Sequence, residues 1–98
     1  MEERNYLVIL YDYYGELLSD LAKKYFESYY FDNLSLAEIA ENYKVSRNAI
    51  HKQIKNAEIK LVDFESKLNL YNKNKKLKTI ISKISDKTLI KELESLNN

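Results

Sequence analysis

The chain has 98 residues with one glycine, no proline and no cysteine, and 45% of its residues carry hydrophobic side chains. That length makes one small domain with a single core, and the scarcity of turn residues favours helices over sheet. Absence of cysteine excludes disulfides and thiolate metal sites, and no apolar run approaches the roughly 18 residues that cross a bilayer.

The start, MEERNYLVILYDYYGELL, has acidic residues inside and around its apolar part. It is therefore expected to be neither a signal peptide nor an anchor. A soluble cytoplasmic protein without stable membrane insertion is expected. The net charge of +1 is unevenly distributed: residues 1–34 sum to −4, residues 35–60 to +2 and residues 61–98 to +3. This polarity could orient the molecule on a polyanion, or it could be a set of ordinary solvated faces.

In chain order, Leu7, Leu10, Tyr11, Tyr14 and Leu18 recur at spacings of three and four and predict a helix over 5–17, with Gly15 weakening its last turn. Ser19 is the predicted N-cap of a second helix whose stripe is Ala22, Tyr25, Phe26, Tyr29 and Tyr30. Asp32 and Asn33 then turn the chain. Residues 35–61, SLAEIAENYKVSRNAIHKQIKNAEIKL, read as a helix-turn-helix. Ser35 and Glu38 have capping-box spacing, and Leu36, Ile39 and Ala40 form an apolar face. Tyr43, Lys44 and Val45 make the connection, with Val45 expected to point into the hydrophobic interface. Ser46 caps a second helix with the seam Ala49, Ile50, Ile54 and Ala57.

That helix is predicted to continue, because Ile50, Ile54, Ala57, Leu61, Phe64, Leu68 and Tyr71 alternate steps of four and three. Ile59 and Val62 add a second apolar face. Asn72, Lys73, Asn74, Lys75 and Lys76 are expected to break it. A short helix follows (Leu77, Ile80, Ile81, Ile84), then a Ser85–Asp86 cap and a last helix with Leu89, Ile90, Leu93 and Leu96. The expected organisation is a helix-turn-helix domain with a long helix over 1–71 and a C-terminal helical extension over 72–98, packed on the same core.

A motif of this kind presents the outer side of its second helix to a partner, most often a DNA groove. Arg47 sits at the first turn, and Asn48, His51, Lys52 and Lys55 project away from the seam. Arg can fork onto guanine, Asn onto adenine, and Lys can neutralise phosphate. The alternatives are a solvated scaffold face and a protein-docking face. Leu61, Phe64, Leu68 and Tyr71 are either core or a partner seam, and a homodimer is the expectation.

His51 is the only histidine, so no metal site is expected. The nine tyrosines could stack on single-stranded bases, although amphipathic packing in the core is the simpler reading. Asp12, Glu16 and Asp20 lack a nucleophile or anion-binding loop and read as surface charge. There is no glycine-rich phosphate loop, and neither catalysis nor a cofactor is expected. Lys73, Lys75, Lys76 and Lys78 could meet phosphate or lipid headgroups, or form a solvated break.

The segment YYFDNLSLAEIAENYKVSRNAI resembles region 4 of bacterial sigma factors. Similarity over a longer stretch, from the aromatic first helix (Tyr6, Tyr11, Tyr13, Tyr14) through the continuation SRNAI…FESKL to Leu68, resembles the YlxM family of small bacterial helix-turn-helix proteins. The fold class implied is an all-α orthogonal helical bundle with a sigma region 4-like helix-turn-helix and a long extended second helix. The resemblance implies action in or around the signal recognition particle pathway as a regulatory protein. Its implied partners are a nucleic acid, DNA or the particle's RNA, and the particle's GTPase protein. Two alternatives stand beside it: a sequence-specific DNA-binding transcription regulator, and a protein-only adaptor that keeps the motif as scaffold.

Overall fold

A computed structural model describes residues 3–83 and 94–96. Among the described residues all regular structure is helical. It comprises α1 (Arg4–Tyr14), a 3-10 turn (Gly15–Leu17), α2 (Asp20–Tyr30), α3 (Leu36–Tyr43), the long α4 (Arg47–Leu68) and α5 (Leu70–Ser82). The chain divides into two compact units, Met1–Leu68 and Asn69–Asn98. Among the described residues no helix is long and apolar enough to cross a membrane.

In the first unit α4 is the central strut, with α1, α2 and α3 each packed against it. Of the predicted stripe of α1, Leu7, Leu10, Tyr14 and, just past the helix, Leu18 are buried, while Tyr11 is half-buried. The α-helix stops at Tyr14 and tightens into the 3-10 turn, closed by Leu18 N–H donating to the Gly15 carbonyl at 3.0 Å. Gly15 accommodates a close approach there. A Cβ at this position would lie 3.0–3.2 Å from the ring of Tyr11.

Ser19 caps α2 as predicted, its hydroxyl accepting from the Ala22 N–H at 3.2 Å. The α2 stripe then buries Ala22, Tyr25, Phe26 and Tyr30. Phe26 is the hub of an aromatic stack. Its ring lies 4.4 Å from Tyr11 of α1 and 4.3 Å from Tyr30, one turn away. The core reading of the tyrosines is therefore the one realised for Tyr14, Tyr25 and Tyr30. Glu16 and Asp20 lie exposed around Lys23 at 3.3 and 3.8 Å, an arrangement that contributes little to stability.

The long helix ends earlier than its apolar periodicity predicts. It stops at Leu68, Asn69 adopts a left-handed φ of 57°, and α5 then runs without interruption through Lys73–Lys76. The expected break at 72–76 is thus helix, and Tyr71 lies on α5 in the second unit. The physical reason is that lysine is a good helix former and a charge run does not by itself break a helix, whereas asparagine tolerates the left-handed region. On α4 the second apolar face is only partly covered: Val62 is half-buried and Ile59 is 59% exposed. Ile84, the cap at 85–86 and the last helix through Leu89, Ile90 and Leu93 lie outside the described residues; Leu96 is described and exposed.

Candidate nucleic-acid interface

The turn of the helix-turn-helix is built from local hydrogen bonds. At the start of α3 the capping box is complete: Glu38 N–H donates to the Ser35 hydroxyl at 3.1 Å, and Ser35 N–H donates to the Glu38 carboxylate at 2.9 Å. Hydrogen bonding from the Ser35 backbone N–H, and then from its side chain, lowers the pKa of the Glu38 carboxyl from its ordinary value. At the other end Lys44 takes a left-handed φ of 56°. Its N–H reaches the Glu41 carbonyl at 3.3 Å, and the Val45 N–H reaches Ala40 at 3.0 Å. This pair of bonds is a Schellman stop. Ser46 then caps α4, its hydroxyl accepting from Ala49 N–H at 3.1 Å.

A left-handed C′ position normally belongs to glycine. Lys44→Gly is therefore expected to raise the unfolding free energy by about 1 kcal/mol, read as a higher urea midpoint at unchanged slope. A lower midpoint would show that the lysine side chain supplies something that the turn needs.

Ile39 and Ala40 of α3 and Ile50, Ile54 and Ala57 of α4 are buried where the two helices pack. The small Ala40 lets the helices approach. Tyr25 of α2 braces the end of α3 by meeting the Tyr43 ring edge-on at 4.9 Å. Val45 is not in this interface. It remains 41% exposed, because the Schellman turn carries its side chain outward beside the start of α4.

Arg47, Asn48, His51, Lys52 and Lys55 are all exposed, while Ile50, Ile54 and Ala57 beneath them are buried. At about 100° per residue these five occupy one arc of roughly 140°, so the side chains singled out from spacing share a face. The structure also shows what lies beside that face. A cleft of about 140 Å³ opens between the helices, with Leu7, Leu36 and Ile54 as floor and Tyr29, Tyr30, His51, Lys55 and Glu58 around it.

Three bridging contacts are absent from the periodic pattern, and the first of them frames the cleft. The Tyr30 hydroxyl donates to Glu58 at 2.5 Å, tying α2 to α4, and burial together with this carboxylate pushes the phenol pKa upward. Likewise, Tyr11 donates to Glu27, and its pKa is raised by burial and by that partner. Arg4 reaches from α1 to the end of α2. It donates to the Tyr30 carbonyl at 2.8 Å and to Asn33 Oδ1 at 3.3 Å, and its guanidinium lies 4.6 Å over the Tyr30 ring. A cation there satisfies carbonyls that a helix end leaves free.

The residues of the proposed seam separate. Leu61 is fully buried in the first unit, and Phe64 is half-buried with its ring 6.0 Å from Tyr14. Leu68 is 44% exposed at the end of α4, and Tyr71 is half-buried on α5. Among the described residues no cluster of three or more His, Asp or Glu side chains could hold a metal ion.

Capped helices around a tight turn, with a polar and cationic outer face, define the class: a helix-turn-helix protein. All of residues 1–98 match the UPF0122 family, described as "Putative helix-turn-helix protein, YlxM / p13 like", and the chain belongs to that family. A UPF0122 protein of Clostridium novyi (strain NT) is 49% identical over 90 residues, covering 88% of this chain and 78% of the relative. One from Geobacillus sp. (strain WCH70) is 39% identical over 99 residues, covering 89% and 90%. Another, from Bacillus pumilus (strain SAFR-032), is 37% identical over 100 residues, covering 98% and 91%. The resemblance noted in the sequence therefore extends over residues 72–98 as well.

Proposed function

We propose that the protein is a non-catalytic nucleic-acid binder. It engages the RNA of the signal recognition particle through the exposed face at the start of α4, as a regulatory component of that targeting pathway. The observation that carries this reading is the single arc of Arg47, Asn48, His51, Lys52 and Lys55 on a helix whose opposite side is locked into the core. Its position at a helix N-terminus adds unpaired backbone N–H groups and the positive end of the helix dipole, both favourable to phosphate. The choice of RNA rests on the kinship with YlxM-like proteins. The short first helix, tight turn and capped second helix also favour a second reading, duplex DNA read in its major groove by a transcription regulator.

Titration of the protein against the particle's RNA, its GTPase protein and random duplex DNA, at two salt concentrations, separates these. Preferential binding to the RNA is the expected result. Arg47→Ala/Lys52→Ala is expected to weaken it and to lower the slope of log K against log salt by about 1.4, the value for two lost contacts to a single strand. Selection of one duplex sequence would make the protein a transcription regulator. Binding confined to the GTPase protein and insensitive to salt would make it an adaptor.

A further inference from the structure

The unit that carries the helix-turn-helix is not the basic part of the molecule. Residues 1–68 hold nine basic and twelve acidic side chains, a net −3, whereas residues 69–98 hold seven and three, a net +4. Within the second unit the asymmetry is sharper still. From Leu70 to Lys83 there are five lysines and no acidic residue. Affinity for a polyanion scales with the number of phosphates neutralised, and three or four cations on an acidic unit are a weak source of it.

The lysines of α5 are also arranged. Lys73, Lys76, Ile80 and Lys83 follow one another at steps of three, four and three, so they lie along one side of the helix. Beside that line, Asn72, Lys75, Lys76, Thr79 and Ile80 border an open groove of about 400 Å³. The Lys75 ammonium lies 6.0 Å over the Tyr71 ring. Thr79 spends its hydroxyl proton on the Lys75 carbonyl at 3.1 Å, leaving the lysines as the cationic donors.

We infer that this side of α5 is a second contact surface, for the sugar–phosphate backbone of the RNA engaged by the α4 face. The inference rests on the RNA reading above. Lysines act as point charges without base selectivity, so this surface adds affinity and the α4 face adds discrimination. A lipid surface fits less well. An interfacial helix needs a continuous apolar side. Here Ile81 is buried and Leu77 half-buried, and only Leu70 and Ile80 of the large apolar side chains of α5 are exposed.

The test uses the full chain and fluorescence anisotropy with the signal recognition particle RNA over a range of salt. Three variants are compared: Lys73→Ala/Lys76→Ala/Lys83→Ala, Lys78→Ala, which lies off this side, and Arg47→Ala/Lys52→Ala. The triple variant is expected to lose about tenfold or more in affinity and about two units of salt slope. Alanine keeps the helix, and Lys78→Ala should bind as the parent does. Unchanged affinity and slope in the triple variant, with binding lost in Arg47→Ala/Lys52→Ala, overturn the α5 surface and leave the α4 reading standing. The converse pattern overturns the α4 reading and keeps α5. No binding of the parent chain to the RNA overturns both. A triple-variant loss seen only on phosphatidylglycerol vesicles reassigns α5 to lipid and overturns the inference.

Discussion

Replacing Phe26 with alanine is expected to lower the unfolding free energy by about 3–5 kcal/mol, the largest single effect that we foresee. Phe26 is fully buried and packs face to face with Tyr11 at an interplanar angle of 7° and with Tyr30 at 21°. Alanine would leave a void bounded by two rings whose other contacts hold them in place. Tyr11 is held by its bond to Glu27 and by the Phe31 ring at 5.7 Å, and Tyr30 by Glu58 and Arg4. Collapse into the void is therefore limited, which puts the cost at the high end. A small domain has only about 5–15 kcal/mol in total, so urea unfolding should show a midpoint shifted by a large fraction of its value. Phe31→Ala is the control, since that ring is 46% exposed. A cost for Phe26→Ala no greater than that of the control would show that the aromatic stack is not the keystone of the first unit.

The second large effect concerns Tyr14 and Glu65. The Tyr14 hydroxyl donates to Glu65 at 2.5 Å, and both residues are buried, joining α1 to the last turn of α4. Tyr14→Phe keeps the ring and removes the donor to a carboxylate; the expected cost is about 1.5–3 kcal/mol. Glu65→Leu, which replaces the carboxylate by an apolar group of similar size, should cost less in the Tyr14→Phe background than alone. A double-mutant cycle by urea denaturation measures that coupling. A coupling near zero would mean that the hydrogen bond adds nothing beyond what ring packing against Phe64 at 6.0 Å already supplies.

Much of this molecule is legible along the chain because its decisive contacts are short in sequence. The Ser19, Ser35–Glu38 and Ser46 caps join residues three apart, and a side chain can find a backbone N–H at that distance with no tertiary help. The buried stripes of α1 and α2 follow for the same reason, from helical periodicity. Periodicity fails where a neighbour overrides it. Leu61 and Leu68 belong to one apolar series, yet Leu61 is sealed and Leu68 is left 44% exposed at the helix end. Glu65 has the composition of a surface residue and is buried, because a phenol from α1 meets it there.

Legible along the chain were the helical class of its described residues, where its first helices begin, a helix-turn-helix with one cationic and amide-bearing face, and the family that it resembles. The folded molecule adds that Arg4, Glu58 and Glu65 are bridging residues, that the long helix ends at Leu68, and that the lysines of 73–76 stand on a helix. The difference is physical. Caps and amphipathic stripes are set by residues one turn apart. A hydrogen bond between residues 14 and 65, or a groove beside α5, exists only once separate turns have been brought into register.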